Sequence, residues 1–390
     1  MAADTRPLRI CLGVPYLAPY SKTNGIAWYN RWLADGLVKK GHAVKVVDLS
    51  LLEPQPAVEP WGETVVMRGP RRAALPKSLR TAMFMRKYLA SHERFDIFET
   101  SNWPGLAALR PRTTAVTFVR LITPSGRAGI GNLQNAVCNA LEAISVHRAD
   151  ATIASTSYIR DALSKLYKVD LARAYRVSFG IPDVEVARSG SIDGPMRFIS
   201  VGRAEARKGS DVLLASLLQA FGRRDDFEVT LVGAYDGFAN GSPELQRMWT
   251  ALRTAYAHRL TVVENIAEER KHELLAASDY LLMTSRAESF GLPVIEAMRA
   301  GTAVISSAGG GLREVAGACA GNVLYDDPED PDLLAAAIVS AVQRGRLDAI
   351  ERGRLARRTY LERFHEDVFI EGTVHAYRDR LERKRFAQAR

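Results

Sequence analysis

Short apolar runs alternate with amphipathic, helix-like segments along almost the whole of the 390-residue chain. The runs have the length of buried strands, and the segments between them have apolar residues recurring every three or four positions. One series comprises LRICLGVPY, AVKVVDLS, FDIFETS, TAVTFVRL and ATIAST, and the other MRFISVG, FEVTLVGAY, LTVVEN, YLLMTS and TAVISS. This alternation predicts parallel sheets covered by helices on both faces.

The two series predict two similar α/β domains. They are separated by SFGIPDVEVARSGSIDGPMRF, where Gly, Pro, Ser and Asp accumulate, which places the boundary between about 180 and 196. A chain of this length also exceeds a single core, since about 150 residues per domain is typical. We expect an N-terminal domain over 1–185, a second domain over 186–365, and an Arg-rich C-terminal helix over 366–390 that packs back on the first.

Composition narrows the class of protein. With 47% hydrophobic and 25% charged residues, the chain is typical of a soluble globular protein. No apolar run reaches the roughly 18 residues of a transmembrane helix, and the N-terminal apolar run is too short and too Pro-broken for a signal peptide. A cytoplasmic location is therefore expected. Cys11, Cys138 and Cys319 lie far apart without CxxC spacing, so we expect neither disulfides nor a zinc site.

The net charge of +9 fits an acidic ligand, a phosphate-rich partner or an anionic membrane surface. It is concentrated in RGPRRAALPKSLRTAMFMRKY, residues 68–88, which has seven Lys or Arg and no acid. This segment could be a basic amphipathic helix that rests on a membrane or holds an acidic acceptor. It could equally be a solvated helix whose apolar side faces the core. Nucleic acid is not expected, because no recognised binding motif accompanies the charge.

A strand-to-helix loop in the second series carries two cations. GRAEARKGSDVLLASL follows MRFISVG and places Arg203 and Lys208 five residues apart. Ligands of open α/β sheets bind beyond the carboxyl ends of the strands, at loops that open into helices. Arg through its planar fork and Lys as a point charge can converge there on one diphosphate. The alternative is a loop with two solvated cations and Asp211 near a helix start.

The stretch AESFGLPVIEAMRAG places two glutamates on either side of a turn. Pro293 suits the first turn of a helix, and Gly291 allows close approach of the backbone to a ligand. The N–H groups of Ser289–Leu292 then form an anion site at the helix terminus. Glu296 is expected in the first turn and Glu288 on the other side. Carboxylates beside a phosphate make sense if the ligand also donates hydroxyls, as a sugar nucleotide does. For Glu296 alone, interaction with the helix dipole is an alternative.

The sequence resembles the GT4 family of retaining glycosyltransferases with the GT-B fold. The spacing of Glu288 and Glu296 is similar to the family's E-x7-E signature, and the likeness spans most of the chain. Further motifs occur in family order: NGIAWYNRWLADGLVKKGHAVKVV, LEAISVHRADATIASTSYIRDAL, VSFGIPDV, VGRAEARKG, LVGAYDG, and SSAGGGLREVAG with GNVLYDDPEDPDLLAAAI.

The resemblance implies two Rossmann-like domains whose parallel sheets face across a cleft, with the donor held by the second domain and the acceptor by the first. Arg203 and Lys208 would hold the diphosphate and stabilise the leaving nucleotide. Glu288 would contact sugar hydroxyls near the reacting carbon, and Glu296 would accept from the ribose hydroxyls. The remaining donor contacts would come from the backbone N–H groups of Phe290, Gly291 and Leu292, and from Gly25 in the first loop.

The implied reaction transfers a sugar from a nucleotide-diphosphate sugar, with retention, to a glycan or lipid-linked acceptor in bacterial polysaccharide, glycolipid or glycoconjugate biosynthesis. It implies no cofactor and no metal, because the cations and a helix terminus can replace a divalent ion. The DxD-like pair Asp330 and Asp332 is instead expected to cap a helix. A location at the inner face of the membrane is compatible with such an acceptor.

Two departures from the family pattern are visible. The first loop reads Lys22-Thr23-Asn24-Gly25-Ile26, with one glycine where many relatives have a pair. Relatives often carry a histidine at the end of the strand TFVRL, where this chain has Ile122, and Arg120 is a candidate to compensate. Two other functions therefore stay open: a sugar-nucleotide epimerase or hydrolase with the same fold, and a non-catalytic partner subunit of a glycan assembly complex.

Overall fold

A computed structural model describes residues 6–19, 25–50, 59–62, 64–67, 75–91, 94–111, 115–123, 133–184, 193–233 and 241–388. The chain divides into two compact units. The first unit comprises Met1–Pro182 together with Glu366–Arg390, and the second comprises Asp183–His365.

A seven-stranded parallel sheet forms the centre of the first unit. Its strands are β1 (Arg9–Val14), β2 (Ala43–Asp48), β3 (Val65–Val66), β4 (Ile97–Ser101), β5 (Val116–Leu121), β6 (Ala151–Ala154) and β7 (Tyr175–Arg176). They are arranged in the order β3-β2-β1-β4-β5-β6-β7. The helices are α1 (Gly25–Lys39), α2 (Lys77–Ser91), α3 (Leu133–Arg148), α4 (Ser157–Tyr167) and, from the C-terminal segment, α11 (Glu366–Gln388).

The second unit repeats this plan with a six-stranded parallel sheet. Its strands are β8 (Met196–Val201), β9 (Phe227–Val232), β10 (Leu260–Val263), β11 (Tyr280–Met283), β12 (Ala303–Ser307) and β13 (Val323–Tyr325), in the order β10-β9-β8-β11-β12-β13. The helices are α5 (Ser210–Arg223), α6 (Pro243–Ala255), α7 (Glu268–Ala276), α8 (Leu292–Arg299), α9 (Leu312–Val315) and α10 (Pro331–Arg363). Gly345, with φ of 79°, interrupts α10.

The prediction of parallel sheets covered by helices is confirmed, and each of the ten predicted strands forms. The first six strands of each unit follow the same doubly wound order. The second and third strands lie on one side of the first strand, and the next three lie on its other side. This reversal of strand order leaves a crevice at the carboxyl ends of β1 and β4 in one unit and of β8 and β11 in the other. The sequence did not predict β3, β7 or β13, which are edge strands of two or three residues.

A buried ion pair lies at the centre of the first unit. Glu99 of β4 is opposite Phe118 of β5, so Arg120, two residues further along β5, lies on the same face as Glu99. The Arg120 Nε is 2.7 Å from Glu99 Oε1, and the two side chains are only 1% and 2% exposed. Burial opposes the charge on Arg120, but the adjacent Glu99 carboxylate raises the pKa of the guanidinium above its ordinary value.

Helices α1 and α11 supply the remaining partners of this ion pair. Tyr29 of α1 donates to Glu99 Oε1 at 3.0 Å, and Tyr377 of α11 donates to Glu99 Oε2 at 2.5 Å. Arg120 Nη2 donates to Thr373 Oγ1 at 3.1 Å. Thr373 and Tyr377 are one turn apart and therefore share a face of α11. The C-terminal helix thus packs on the first sheet, as the sequence predicted.

The basic segment 68–88 is partly described. Residues 68–74 lie outside the described residues, and the rest forms α2 with its preceding turn. Ala82, Met85 and Tyr88 are buried in the core of the first unit, whereas Met83 is 48% exposed. The helix therefore has one side that faces the core, as expected for a solvated helix, and an outer side that carries basic residues.

Three further predictions concern the cysteines, the DxD-like pair and membrane-spanning helices. Cys11, Cys138 and Cys319 are free thiols, as predicted. The side chain of Asp330 accepts from the N–H of Asp332 and caps α10, which confirms the capping role expected there. Among the described residues, no helix is both long enough and apolar enough to cross a membrane.

We expect that Glu99→Gln lowers the free energy of unfolding by about 3–5 kcal/mol, because it leaves the Arg120 charge buried without its counter-ion. Replacing both partners, Glu99→Leu with Arg120→Met, should cost less than the single change. Denaturant unfolding and hydrogen exchange of the α11 amides measure both effects.

Lys40→Ala is the matched control, since Lys40 pairs with the exposed Asp367 and Glu371 of the same helix. Its loss should change stability by less than about 1 kcal/mol. If the double variant is as unstable as Glu99→Gln, the loss of stability comes from altered side-chain packing and not from the unpaired charge of Arg120.

Candidate functional site

The loop after β8 is fastened to the loop after β11. It runs from Arg203 through a short 3-10 turn, Ala206–Lys208, into α5 at Ser210. Gly209 ends that turn with φ of 64°, and a Cβ on it would lie 2.0 Å from the carbonyl oxygen of Thr284. Thr284 Oγ1 donates to the Lys208 carbonyl at 2.7 Å. Only glycine permits this contact, which joins the two loops at the switch point of the sheet.

Arg286 braces the same loop from the other side. Its guanidinium forms two parallel hydrogen bonds of 2.7 Å to the carboxylate of Asp211, in the first turn of α5. It also donates to the Ala206 carbonyl and to Glu329. The hydrogen bond from Arg286 lowers the pKa of Asp211. The sequence did not predict this role of Arg286.

The cations of the loop are already neutralised by glutamates. Lys208 Nζ forms an ion pair with Glu288 Oε1, and Arg207 Nη1 is 3.4 Å from the same oxygen. Arg203 is 68% exposed and pairs with Glu205 at 2.9 Å. The structure therefore brings Lys208 and Glu288 together, but it does not pair Arg203 with Glu288. Arg207, which the sequence analysis missed, is the second cation at Glu288; three basic residues in RAEARKG were the available signal.

The turn between the two glutamates has the predicted form. Gly291 has φ of 95° and precedes α8, with Pro293 in the first helical turn. This positive φ strains any residue other than glycine, and a Cβ on Gly291 would also lie 2.5 Å from the side chain of Leu312. Phe290 is 3% exposed, and its ring packs edge-on against Phe364. With its side chain buried, Phe290 can present only its backbone to a ligand.

Glu296 is the fifth residue of α8, and the expectation that it lies in the first turn was wrong. The helix begins at Leu292, ahead of the proline, which moves Glu296 into the second turn. Its carboxylate is 6% exposed and forms an ion pair with Lys271 of α7 at 3.1 Å. A buried ion pair, and not the helix dipole, is therefore its main electrostatic interaction.

Helix α7 adds two further groups beside Glu296. Lys271 also pairs with Glu268 at 2.7 Å; burial disfavours its charge, but the two glutamates together raise its pKa. Burial, followed by the nearby Arg299, lowers the pKa of His272 to about 4, so His272 is neutral at pH 7. The sequence did not predict the contact of Lys271 with Glu296.

The glycine cluster before α9 supports the Glu288 loop. Gly311 N–H donates to the Glu288 carbonyl at 2.7 Å. A Cβ on Gly309 would lie 2.3 Å from the carbonyl of Ser285. At these two positions the glycines serve close packing of one loop on another.

The other residues predicted from the sequence, Gly25, Ile122 and Arg120, belong to the first unit. Gly25 is exposed and is the first residue of α1; residues 20–24, which precede it, lie outside the described residues. Ile122 is buried, and its N–H donates to Asn102 Oδ1 at 2.9 Å. The suggestion that Arg120 compensates for a histidine at Ile122 is wrong, because its guanidinium is buried against Glu99, Thr373 and the ring of Phe369.

Comparisons with known sequences agree with this arrangement. A family model described as Glycosyltransferase Family 4 matches residues 23–184, and one described as Glycosyl transferases group 1 matches residues 183–358. A D-inositol 3-phosphate glycosyltransferase of Acidothermus cellulolyticus is 30% identical over 56% of this chain and 46% of its own length. The chain thus spans about half the length of this curated relative. An uncharacterised glycosyltransferase of Methanocaldococcus jannaschii is 23% identical over 92% of this chain and 95% of its own.

Solved structures share the fold. Sucrose-phosphate synthase from Thermosynechococcus elongatus matches with a TM-score of 0.75 at 20% identity, covering 95% of this chain and 98% of its own. The Anabaena protein HepE, in complex with UDP and glucose, matches with a TM-score of 0.70 at 16% identity, covering 95% and 99%. With its two doubly wound sheets and two successive family matches, the chain belongs to the GT4-type glycosyltransferases and has the GT-B fold.

Proposed function

We propose that this protein is a retaining glycosyltransferase that moves a sugar from a nucleotide-diphosphate sugar to an acceptor in glycan or glycolipid biosynthesis. The observation that carries the proposal is the pairing of the two glutamates of the E-x7-E motif. Each of them, on either side of Gly291, holds a lysine from a different element: Lys208 at Glu288 and Lys271 at Glu296. Family membership supports the same reaction class.

The loop after β8 is the proposed diphosphate site. Lys208, Arg207 and Arg203 bring three cations to one short loop, and their carboxylate partners are Glu288 and Glu205. A diphosphate offers oxygens of higher charge than a carboxylate and can take over these cations. The N–H groups of Phe290, Gly291 and Leu292 at the start of α8 add donors of fixed orientation.

Glu288 is the proposed catalytic carboxylate. When phosphate oxygens take over Lys208, Glu288 is free to accept from hydroxyls of the donor sugar near the anomeric carbon. In the transfer step the bond from the anomeric carbon to phosphate oxygen breaks, and the nucleotide leaves with the electron pair. An acceptor hydroxyl forms the new bond on the same face and gives its proton to the departing phosphate. Lys208 and Arg203 stabilise the charge that develops on that phosphate.

Glu296 is the proposed ribose contact, and Lys271 is its positioning residue. The ion pair fixes the carboxylate on one side, while the remaining acceptor positions can take ribose hydroxyls. On this proposal no metal is needed, because lysine and arginine carry the charge compensation that a divalent ion would supply. The contribution of Gly25 to phosphate binding stays a prediction.

We expect one series among UDP-, GDP-, ADP- and dTDP-sugars to bind saturably in calorimetry with EDTA present, and added Mg²⁺ to leave the affinity unchanged. The reason is that the proposed site relies on Lys208, Arg203 and helix N–H groups for charge. Absence of binding to any nucleotide by folded protein would favour a non-catalytic partner subunit. Turnover of the donor at full rate without an acceptor would favour a hydrolase or epimerase.

Two substitutions should separate the phosphate and ribose contacts. Lys208→Met should weaken both the nucleotide and inorganic pyrophosphate by about tenfold or more, because it removes a phosphate-binding cation. Glu296→Gln should weaken the nucleotide by a similar factor but leave pyrophosphate binding unchanged, because it removes the charged acceptor for the ribose hydroxyls and its ion pair with Lys271 while the phosphate-binding cations stay in place. Isothermal titration with both ligands measures the pattern.

Arg270→Met is the control for these variants, since Arg270 lies on α7 beside Lys271 but pairs with the exposed Glu273. It should bind both ligands as the wild type does. Equal loss of pyrophosphate binding in Lys208→Met and Glu296→Gln would contradict the separate roles.

We also propose that the outer side of α2 associates with an anionic membrane surface, where a lipid-linked acceptor would be found. Met83, Arg86 and Lys87 are exposed on this helix. Replacing all three, Met83→Ser with Arg86→Ser and Lys87→Ser, should reduce sedimentation with phosphatidylglycerol vesicles and leave nucleotide affinity unchanged. Sedimentation equal to that of the wild type would contradict membrane contact through α2.

A further inference from the structure

Two aromatic rings at the carboxyl edge of the first sheet have no part in the site described above. Tyr16 lies two residues after β1, and Trp103 two residues after β4. Gly13 of β1 is paired with Thr100 of β4, so the two loops leave the sheet side by side. The rings stack with centroids 5.5 Å apart and planes inclined by 29°, and both side chains are partly exposed.

The polypeptide holds both residues in place through their carbonyl groups. Asn30 Nδ2 donates to the Tyr16 carbonyl at 2.8 Å, and Ser101 Oγ donates to the Trp103 carbonyl at 2.5 Å. The aromatic pair is therefore organised before any ligand arrives. A rigid, amphipathic aromatic surface suits the apolar C–H face of a sugar ring, whose hydroxyls stay at the rim.

A lysine lies beside this pair. Lys77, the first residue of α2, has its Nζ 5.9 Å from the centroid of the Tyr16 ring. The same Nζ makes one long hydrogen bond, 3.4 Å, to the carbonyl of Ser50, just beyond β2. Among the residues that the structure describes, no carboxylate forms an ion pair with Lys77. The loops after β1 and β4 thus carry the two rings, and the start of α2, beside the end of β2, carries the cation.

Asp48 acts on the charge of Lys77, but among the described residues it forms no ion pair with it. It is buried at 3% exposure, and its Oδ1 accepts from the N–H of Ser50 at 2.9 Å. Burial lowers the pKa of Lys77, and the opposing effect of Asp48 does not restore it. Burial likewise raises the pKa of Asp48. An incoming anion would compensate a cation that the protein has partly desolvated.

We propose that Tyr16, Trp103 and Lys77 form the acceptor subsite, and that the acceptor is a saccharide carrying a phosphate or carboxylate group. The sugar ring packs on the aromatic pair, and the anion pairs with Lys77 Nζ. This inference rests on the proposed glycosyltransferase function and names its acceptor class. The crevice position at the carboxyl ends of β1 and β4 is where a sheet of this strand order binds ligands.

The test is a binding panel of hexose phosphates, inositol phosphates and uronic acids, each compared with its neutral parent by saturation-transfer NMR and calorimetry. At least one anionic saccharide should bind about tenfold or more tightly than its neutral parent. Lys77→Met should abolish that preference, whereas Trp103→Ala should weaken the anionic and neutral members alike. Lys165→Met, which changes an exposed lysine of α4 in the same unit, should behave as the wild type.

The anion could belong to a free sugar or to a lipid headgroup, and vesicles distinguish the two. Phosphatidylinositol vesicles that bind through Lys77 and Trp103, when phosphatidylserine vesicles do not, would assign the anion to a lipid headgroup that carries a polyol ring and support the subsite. Equal binding to both vesicle types would overturn a saccharide-specific contact if no soluble anionic saccharide is preferred either.

Nucleotide affinity, measured on the same samples, separates this inference from the function it rests on. Retained nucleotide binding with no preference for an anionic saccharide, or with a preference that survives Lys77→Met, would overturn the acceptor subsite alone. Loss of nucleotide binding by the wild-type protein would instead overturn the proposed function. The variants must keep the wild-type unfolding transition and nucleotide affinity for the comparison to count.

Discussion

The buried pair of Glu99 and Arg120 is the interaction on which the first unit depends. Each charge would be costly alone in an apolar core, and tyrosine and threonine hydroxyls add hydrogen bonds that lower the cost of burying the pair. Those hydroxyls come from α1 and α11, which are more than three hundred residues apart in the chain. The position of the C-terminal helix is therefore fixed by hydrogen bonds to the buried ion pair as well as by apolar contacts.

The second unit uses paired charges differently. The ion pairs of its candidate site lie at the carboxyl edge of the sheet, where a ligand can exchange with one partner. Lys208 and Glu288 are 21% and 13% exposed, in contrast to the almost complete burial of Arg120 and Glu99. Partial exposure lowers the cost of separating the charges, since water can solvate each as it is released. The same chemistry thus gives a fixed support in one unit and an exchangeable pair in the other.

Much of the fold could be predicted from the sequence because apolar runs indicate the buried strands and a helical periodicity indicates the helices. The edge strands could not, since two or three residues give no periodicity. At the candidate site, Gly291 and Pro293 have strong local preferences, so the turn between Glu288 and Glu296 was predictable. The ion pair of Glu296 with Lys271 was not, because it follows from the packing of α7 against α8, which no local pattern encodes.

The end of β5 shows how a sequence departure is absorbed by packing. Ile122, where the family resemblance predicts a histidine, is buried, and Asn102 accepts from its N–H while donating to the carbonyl of Thr123. One asparagine thus satisfies the backbone on both sides of the position. Arg120 cannot swing out to replace the missing imidazole without leaving Glu99 unpaired in the core, a change that costs several kcal/mol. The end of β5 therefore contributes shape and not charge.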